Sequence, residues 1–220
     1  MEKTVLLIGL GQFGYHMAVK MKELKSQVLG IDIDEERVNN CLPYLTSAKI
    51  ADSTDEAFLR TLGVRNFDVC VVTIAGDFQA SLETTALLRD AGAKLVVARA
   101  SSEFHAKFLL RNGADEVIYP ERDMAIHGAV KYASNHVRDF IQLSDEYSIS
   151  DEYSIYETSV PPQWVGKSIL DLEVRKKYHL NILAIKREEQ IDPEVNPNYQ
   201  FTGQETVFLM GSRENMRPFL

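Results

Sequence analysis

The chain has few cysteines, no long apolar run and no block of basic residues. Its two cysteines, Cys41 and Cys70, lack C-x-x-C spacing, which excludes a disulfide framework and argues against a zinc site. No apolar stretch approaches the roughly 18 residues of a membrane span, so no direct membrane insertion is expected. The net charge of −8, without clustered Lys and Arg, argues against nucleic acid as a partner. The N-terminal apolar run is too short for a signal peptide, so we expect a cytoplasmic protein.

The most informative motif that is present is a glycine-rich turn near the N-terminus. An apolar run over residues 5–8 predicts a buried strand. Gly9, Gly11 and Gly14 follow in G-x-G-x-x-G spacing, directly before a segment with helical periodicity. This order predicts a phosphate-binding turn, in which backbone N–H groups and the start of a helix approach a pyrophosphate. The alternative is that the glycines only close a strand-to-helix turn.

An acidic residue follows at the expected distance. A second apolar strand, over residues 28–31, ends at Asp32, which lies 18 residues past Gly14. The usual distance to a ribose-binding carboxylate is roughly 20 residues. A carboxylate at this point accepts hydrogen bonds from ribose hydroxyls and repels a 2′-phosphate, so the sequence favours NAD or another adenine nucleotide over NADP. The alternative is that Asp32 caps the next helix.

Apolar strands alternate with amphipathic helices over the first 138 residues, which predicts an α/β fold with a Rossmann-like, doubly wound parallel sheet. The predicted strands cover residues 5–8, 28–31, 48–51, 69–74, 95–98 and 116–119. Gly63, Gly92 and Gly113 stand where helix C-caps are expected, and Ser53 with Glu56 fits a capping box. A helix over residues 123–137 is expected to lead out of the sheet.

The remainder of the chain differs in character. The six-residue sequence S-D-E-Y-S-I occurs twice in succession, at residues 144–149 and 150–155. An even insertion keeps the faces of an extended segment in register, so we predict a hinge over residues 139–157, with a short strand at 140–143. Residues 158–220 predict a second, smaller α+β domain, with a helix over 168–178 and strands over 181–186 and 206–210.

Several stretches together resemble one family, the cytosolic RCK-type regulatory subunits of the Ktr and Trk potassium-uptake systems. The resemblance is carried by I-G-L-G-Q-F-G (8–14), I-D-I-D-E-E-R-V (31–38), L-G-V-R-N-F-D (62–68), N-G-A-D-E-V-I-Y-P-E-R-D-M (112–124), L-S-D-E-Y-S-I (143–149), G-K-S-I-L-D-L-E-V-R-K-K-Y (166–178) and I-L-A-I-K-R (182–187). It implies a nucleotide-binding RCK N-terminal domain over residues 1–138 and an RCK C-terminal regulatory domain over residues 158–220.

The resemblance also implies a function. Such a subunit is not an enzyme; it senses an adenine nucleotide (NAD(H), ATP or ADP) and gates a membrane potassium transporter subunit of the KtrB/TrkH-like type. It lies on the cytoplasmic side of the membrane and assembles with itself as dimers in a ring, which we expect to be octameric. In some members the C-terminal domain binds cyclic di-AMP, and a divalent cation is a further expected ligand.

The candidate nucleotide site lies where the strands end, at the carboxyl edge of the sheet. The predicted cofactor-binding residues are Gly9, Gly11, Gln12, Phe13, Gly14, Asp32, Ile33, Asp52, Ser53, Ala75, Gly76, Asp77 and Arg99. Asp52 can accept a hydrogen bond from the adenine amino group or only stabilise a helix start. Asp77 can equally be a helix cap. Arg99 can meet a phosphate or a subunit partner, or be solvated or ion-paired.

Glu121 matches a family glutamate that could hold a divalent cation between the nucleotides of a dimer. A single carboxylate is a poor metal site unless symmetry or phosphates add further oxygens. The alternative is a glutamate in the first turn of a helix, stabilised by the helix dipole. The sequence leaves both interpretations open.

Two positions depart from the family pattern. Gln12 stands where many members have arginine, and glutamine cannot neutralise a γ-phosphate, so NAD(H), ADP and a promiscuous adenine-nucleotide site all stay open. His179 stands where the family often has glycine after the tyrosine, a change that could alter the C-terminal ligand pocket.

The main alternative function is an NAD-dependent oxidoreductase, because the same glycine motif opens many dehydrogenases. The segment after the predicted nucleotide domain is too small for a substrate domain and lacks a plausible catalytic pair. A redox-sensing transcription factor is opposed by the acidic charge and by the lack of a basic helix-turn-helix.

Overall fold

The computed structural model describes residues 2–143 and 153–219. The chain divides into two compact units, Met1–Arg122 and Asp123–Leu220. In the described ranges, no helix is both long and apolar enough to cross a membrane.

The first unit is a parallel six-stranded sheet with helices between its strands. The strands are β1 (Thr4–Ile8), β2 (Gln27–Asp32), β3 (Ser47–Ile50), β4 (Val69–Val72), β5 (Val96–Arg99) and β6 (Glu116–Ile118). The helices are α1 (Gln12–Glu23), α2 (Glu35–Cys41), α3 (Glu56–Thr61), α4 (Phe78–Asp90) and α5 (Glu103–Arg111), with 3₁₀ turns at Leu42–Tyr44 and Val64–Asn66. The strand order is β3-β2-β1-β4-β5-β6, which confirms the predicted doubly wound α/β fold and places a topological switch point between β1 and β4.

Strand β1 shows why its sequence is a continuous apolar run. Leu6 and Ile8 pack into the core on one face of the sheet, and Val5 and Leu7 pack into the core on the other. A strand of a parallel sheet that is covered by helices on both faces needs apolar side chains at every position. The predicted core strand is therefore confirmed.

The predicted capping box of Ser53 and Glu56 is wrong. Helix α3 begins at Glu56 and its N-cap is Asp55, whose carboxylate accepts a hydrogen bond from the Phe58 N–H at 3.2 Å. Aspartate caps a helix as well as serine does, and Asp55 stands directly before the helix. Ser53 is instead buried, with its Oγ 2.8 Å from the Thr84 Oγ1.

The second unit contains an antiparallel sheet in the order β10-β9-β11-β8-β7. Its strands are β7 (Val137–Gln142), β8 (Tyr153–Ser159), β9 (Asn181–Arg187), β10 (Gln190–Asp192) and β11 (Thr206–Ser212). Its short helices are α7 (Ile169–Leu172), α8 (Val174–Tyr178) and α9 (Arg213–Met216), with 3₁₀ turns at Pro162–Trp164 and Arg217–Phe219. Helix α6 (Pro120–Ala133) starts within the range of the first unit and ends within that of the second.

Three predictions made from the sequence differ from the observed structure of this unit. The helix predicted over residues 123–137 ends at Ala133, because Val137–Gln142 pairs with β8. For the same reason the ends of the predicted hinge, residues 139–142 and 153–157, are paired strands; residues 144–152, with most of the duplicated sequence, lie outside the described residues. The helix predicted over residues 168–178 is two helices, because Glu173 adopts a left-handed conformation with φ of 45°.

The core of the second unit is aromatic. Trp164 is fully buried and packs against Tyr178, Phe201 and Phe219, with ring centroids 5.5 to 6.0 Å apart. Along β8, buried residues alternate with partly exposed ones, as expected for an antiparallel sheet with one covered face.

Candidate functional site

The glycine turn joins β1 to α1 by close packing. A Cβ added at Gly14 would lie 2.0 Å from the Gly9 carbonyl oxygen, so only glycine permits this approach of helix to strand. Gly9 has φ of +93°, which favours glycine. A Cβ at Gly11 would meet no atom within 4 Å, and Gly11 is the N-cap of α1 without a side-chain hydrogen bond to the helix start. The backbone N–H groups of the first turn of α1 thus keep capacity for an anionic ligand.

Thr73, which the sequence analysis did not identify, ties this turn to the neighbouring strand. Its hydroxyl donates to the Gly9 carbonyl and also lies 3.1 Å from the Ile8 carbonyl. Because Thr73 directly follows β4, its side chain fixes the turn at the switch point between β1 and β4. In the sequence, its position near the end of the predicted strand over residues 69–74 was the available signal.

Asp32 is buried, with an exposed fraction of 5%. Its Oδ2 accepts a hydrogen bond from the Leu10 N–H at 2.6 Å, and its Oδ1 accepts one from the Asp34 N–H at 2.9 Å. The carboxylate therefore holds the glycine turn in place and still lines the adjoining cleft. Two carboxylate oxygens offer about four acceptor sites, so capacity remains for ribose hydroxyls. Asp34, and not Asp32, caps α2.

A cleft of about 1160 Å³ lies at the carboxyl edge of the parallel sheet. It brings together twelve of the predicted residues: Gly9, Gly11, Gln12, Phe13, Asp32, Ile33, Asp52, Ser53, Ala75, Gly76, Asp77 and Arg99. The remaining one, Gly14, does not line the cleft because it is packed against the turn behind it. A cleft of this size is slightly larger than a typical small-molecule site and suits an extended nucleotide.

Helix faces contribute lining residues that strand ends do not reveal. Arg37 and Asn40 lie three residues apart on α2, and Gln79 and Glu83 lie four apart on α4; all four line the cleft. Such spacings put side chains on one helix face. The sequence signal was present, but it did not show which face turns towards the cleft. Tyr15, His16, Thr54 and Ala80 were also missed.

Asp52 and Asp77 have mainly local hydrogen bonds. Asp52 accepts hydrogen bonds from the hydroxyl and N–H of Thr54, which lower the pKa of its carboxyl. Asp77 caps α4 by accepting from the Ala80 N–H at 2.9 Å, so its expected alternative role as a helix cap is confirmed. Both residues also line the cleft.

Arg99 and Glu121, which were predicted for separate roles, form an ion pair. The ion-paired alternative for Arg99 is thereby confirmed, and Glu121 lies in the first turn of α6 as its own alternative stated. Within residues 2–143 and 153–219, no three His, Cys, Asp or Glu side chains are grouped to hold a metal ion. The divalent cation predicted at Glu121, between the nucleotides of a dimer, stays a prediction.

The fold and the cleft define a two-domain protein whose first domain has the doubly wound form of dinucleotide-binding domains. The TrkA-N domain model matches residues 5–120, and the TrkA-C domain model matches residues 155–220. The chain belongs to this TrkA-N and TrkA-C family.

Curated relatives agree with that assignment. The chain is 39% identical over 191 residues to Ktr system potassium uptake protein C of Bacillus subtilis, which covers 87% of this chain and 84% of the relative. It is 37% identical over 218 residues to Ktr system potassium uptake protein A of the same organism, which covers 99% and 96%. The resemblance stated from sequence motifs is confirmed.

Solved structures share the fold at low identity. The GsuK channel aligns with a TM-score of 0.71 and 15% identity, covering 98% of this chain and 38% of the channel chain. The GsuK channel bound to NAD aligns with a TM-score of 0.69 and 15% identity, with the same coverage. This chain thus spans less than half the length of those channel chains.

Proposed function

We propose that this chain is a nucleotide-sensing regulatory subunit of a potassium uptake system. The observation that carries the proposal is the cleft, in which the uncapped start of α1 and the buried Asp32 face one volume at the switch point of the sheet. A helix start binds phosphate and a carboxylate binds ribose hydroxyls, which are the parts of an adenine nucleotide. Relatives 37 to 39% identical are potassium uptake proteins.

The nucleotide is an adenosine phosphate or NAD(H), as in the NAD-bound channel that shares the fold. Its phosphates would contact the turn at Gly11, and its ribose would contact Asp32. Its adenine would lie against the part of the cleft lined by Asp52. Binding shifts the population between packing states of a self-assembled ring, and the ring changes the opening of a membrane potassium transporter subunit of the KtrB/TrkH-like type. Only different affinities of the two states for the nucleotide can drive such a shift. The subunit acts at the cytoplasmic face and catalyses no reaction.

Calorimetric titration of the full chain with NAD, NADH, ADP and ATP tests the site. Gly11→Ala adds a methyl group that clashes with no protein atom, so it should leave the fold intact and weaken nucleotide binding about tenfold or more by blocking the phosphate approach. Gly128→Ala in α6, where the added Cβ also meets no atom within 4 Å, is the matched control and should bind as the wild type does. Equal affinity of Gly11→Ala and wild type would overturn the phosphate placement.

The regulatory role needs a second measurement. Potassium flux into vesicles that contain a Ktr-type transporter subunit should change when this chain and its nucleotide are added together. Turnover of NADH with added carbonyl substrates would instead favour an oxidoreductase. The ring size follows from the molar mass of the assembly in solution. Binding of cyclic di-AMP by residues 158–220 stays a prediction, and a titration with that ligand tests it.

A further inference from the structure

His105 lies in the first turn of α5 and is fully buried. Its Nδ1 accepts a hydrogen bond from the Ser101 N–H at 3.3 Å and lies 3.2 Å from the Ser101 Oγ. Because a backbone N–H can only donate, Nδ1 is the unprotonated nitrogen, and the neutral ring carries its proton on Nε2. Among the described residues, this buried Nε2 has no hydrogen-bond partner. The arrangement therefore requires a neutral imidazole.

The His105 ring connects the starts of two helices beside the cleft. The Phe78 ring, at the start of α4, lies 4.8 Å from the imidazole, measured between ring centroids. Ser101 belongs to the loop between β5 and α5. Asp77 directly precedes Phe78, Arg99 stands two residues before Ser101, and both line the cleft. A change at His105 can therefore reach the cleft through two short stretches of chain.

A positive charge on His105 would have no compensating partner. The helices and strands around α5 carry these charged side chains: Asp77 and Glu83 on α4, Arg99 on β5 with its partner Glu121, Glu103 and Lys107 on α5, and Glu116 on β6. Burial lowers the pKa of the His105 imidazole, and among the described residues no charge contributes to that shift. The N-terminal turn of a helix also disfavours a cation. The Phe78 ring offers only a weak cation–π attraction, which does not replace water.

We propose that His105 is a pH-sensitive switch, in which protonation breaks the hydrogen bond from the Ser101 N–H and loosens the start of α5 and the adjoining side of the cleft. A protonated ring donates from both nitrogens. The Ser101 hydroxyl can turn to accept from Nδ1, but the Ser101 N–H then loses its acceptor and the buried Nε2 stays without one. Weaker nucleotide binding at low pH follows, and this second part of the inference rests on the proposed function.

The direction of the pKa shift sets the pH range of the switch. The unfolded chain takes up the proton near the ordinary value of 6.5, and the folded chain does so at lower pH. The hydrogen bond is therefore fully formed above 6.5 and is lost as the pH falls below it. At pH 5.5, one unit below the ordinary value, protection can fall by at most about tenfold. Carboxyl groups, with ordinary pKa values near 4, stay ionised over this range.

Two measurements on the full chain test the switch. Nitrogen NMR of the wild-type ring should show a neutral His105 with its proton on Nε2 at pH 7.5. Amide exchange at Ser101 and His105, corrected for the intrinsic rate, should speed up severalfold between pH 7.5 and 5.5. In His105→Asn the side-chain oxygen can accept from the Ser101 N–H but gains no proton, so this change should vanish. His179→Asn, at an exposed histidine of the second unit, is the matched control and should behave as the wild type does.

Calorimetric titration with NAD at the two pH values tests the link to the cleft. The pyrophosphate of NAD is esterified at both ends and gains no proton in this range. Wild type should bind NAD about three- to tenfold more weakly at pH 5.5, whereas His105→Asn should bind it equally at both values. A pH effect that persists in His105→Asn would overturn the link and assign the effect to other groups, such as His16, which also lines the cleft.

The switch and the proposed function fail in different ways. A proton on Nδ1 at pH 7.5, or wild-type exchange that does not respond to pH, would overturn the switch even if His105→Asn does not fold. Absence of NAD binding at both pH values, together with absence of ADP and ATP binding, would overturn the proposed function, and the exchange result would still decide whether His105 is a switch.

Discussion

Each unit buries a carboxylate, and the two carboxylates differ in what surrounds them. Asp32, 5% exposed, accepts two backbone N–H groups and faces the cleft. Glu205, 3% exposed, accepts hydrogen bonds from the Tyr199 hydroxyl at 2.6 Å, the Thr202 hydroxyl at 2.8 Å and the Gly203 N–H at 2.9 Å. Burial alone therefore does not mark a binding site. Asp32 keeps acceptor capacity towards a ligand, whereas Glu205 is surrounded by donors of its own loop.

The electrostatics of Glu205 fit this closed arrangement. Burial by itself would raise the pKa of Glu205, but the hydrogen bonds from Tyr199 and Thr202 outweigh it and lower the pKa to about 2. Burial and the bond to Glu205 raise the pKa of the Tyr199 hydroxyl to about 12. The ionised carboxylate thus stabilises the loop between β10 and β11, and this contribution is structural.

The largest expected effect comes from Glu205→Ala. The Tyr199 and Thr202 hydroxyls and the nearby N–H groups would lose their acceptor, so the free energy of unfolding of the second unit should fall by about 3 to 4 kcal/mol. Trp164 is the only tryptophan of the chain and is buried in this unit, so its fluorescence during urea unfolding reports that unit. Glu189→Ala, at an exposed carboxylate between β9 and β10, should change stability by less than about 0.5 kcal/mol.

The same substitution at Asp32 tests the comparison directly. Asp32→Ala should destabilise the first unit by about half as much or less, because its two N–H partners adjoin the cleft and water can replace the carboxylate. Amide exchange in β1 and β2 measures that loss. If Asp32→Ala and Glu205→Ala lower the free energy of unfolding by the same amount, the distinction between a carboxylate that faces the cleft and one surrounded by donors of its own loop is wrong.

Acid should destabilise the second unit through Glu205. The pKa of Glu205 is about 2 in the folded chain against an ordinary value of 4.5, so the unfolded state binds more protons in between. The stabilisation is complete above the ordinary value and is lost as the pH falls towards 2. Since one pKa unit corresponds to about 1.4 kcal/mol, the loss is on the order of 3 kcal/mol. Trp164 fluorescence across urea titrations at several pH values measures it.

Glu205→Gln is the control for the acid effect. Glutamine has no proton to gain in this range, so this part of the pH dependence should vanish although the variant is less stable at neutral pH. An unchanged slope in Glu205→Gln would assign the acid sensitivity to other carboxylates of the unit, among them Asp139, whose pKa is also lowered.

The contrast between the units also explains what the sequence could reveal. The central strands β1, β4 and β5 of the first unit are buried on both faces, and the glycine spacing and Asp32 follow in local order, so fold and turn were predictable from short stretches. The Arg99–Glu121 pair joins residues 22 positions apart, and Arg37 depends on which face of α2 meets the cleft. Neither follows from local pattern, because each requires the packed arrangement of separate elements.

In the second unit, local pattern was less informative. Strand β10 was not among the strands predicted for residues 158–220. It pairs with β9 at the edge of the sheet, where polar residues are accepted, so its sequence lacks a strong apolar pattern. The break between α7 and α8 occurs at Glu173, a non-glycine residue in a left-handed conformation, which no propensity scale anticipates. The groups that donate hydrogen bonds to Glu205 lie in a loop, and a loop has no periodic sequence pattern that would indicate them.

Ligand protection should sharpen the comparison further. A nucleotide at about 100 times its dissociation constant should stabilise the first unit by about 2.7 kcal/mol, because only the folded cleft binds it. Amide exchange in β1, β2 and β4 should slow accordingly, while the urea midpoint reported by Trp164 stays unchanged. With Asp32→Ala the protection should disappear at the same ligand concentration. Protection of both units to the same extent would show that they unfold as one.

The smallest expected effect concerns His179. It is exposed and has φ of 54°, a left-handed conformation at the end of α8 that glycine adopts without steric cost. His179→Gly should raise the stability of the second unit by about 0.5 to 1 kcal/mol, the relief of strain being partly offset by the greater freedom of glycine in the unfolded chain. Arg175→Gly, inside α8 and also exposed, should instead lower stability by about 1 kcal/mol. If both substitutions lower the stability to the same degree, the exposed His179 side chain makes a stabilising contribution. The second unit would then depend on an exposed side chain as well as on buried groups such as Glu205.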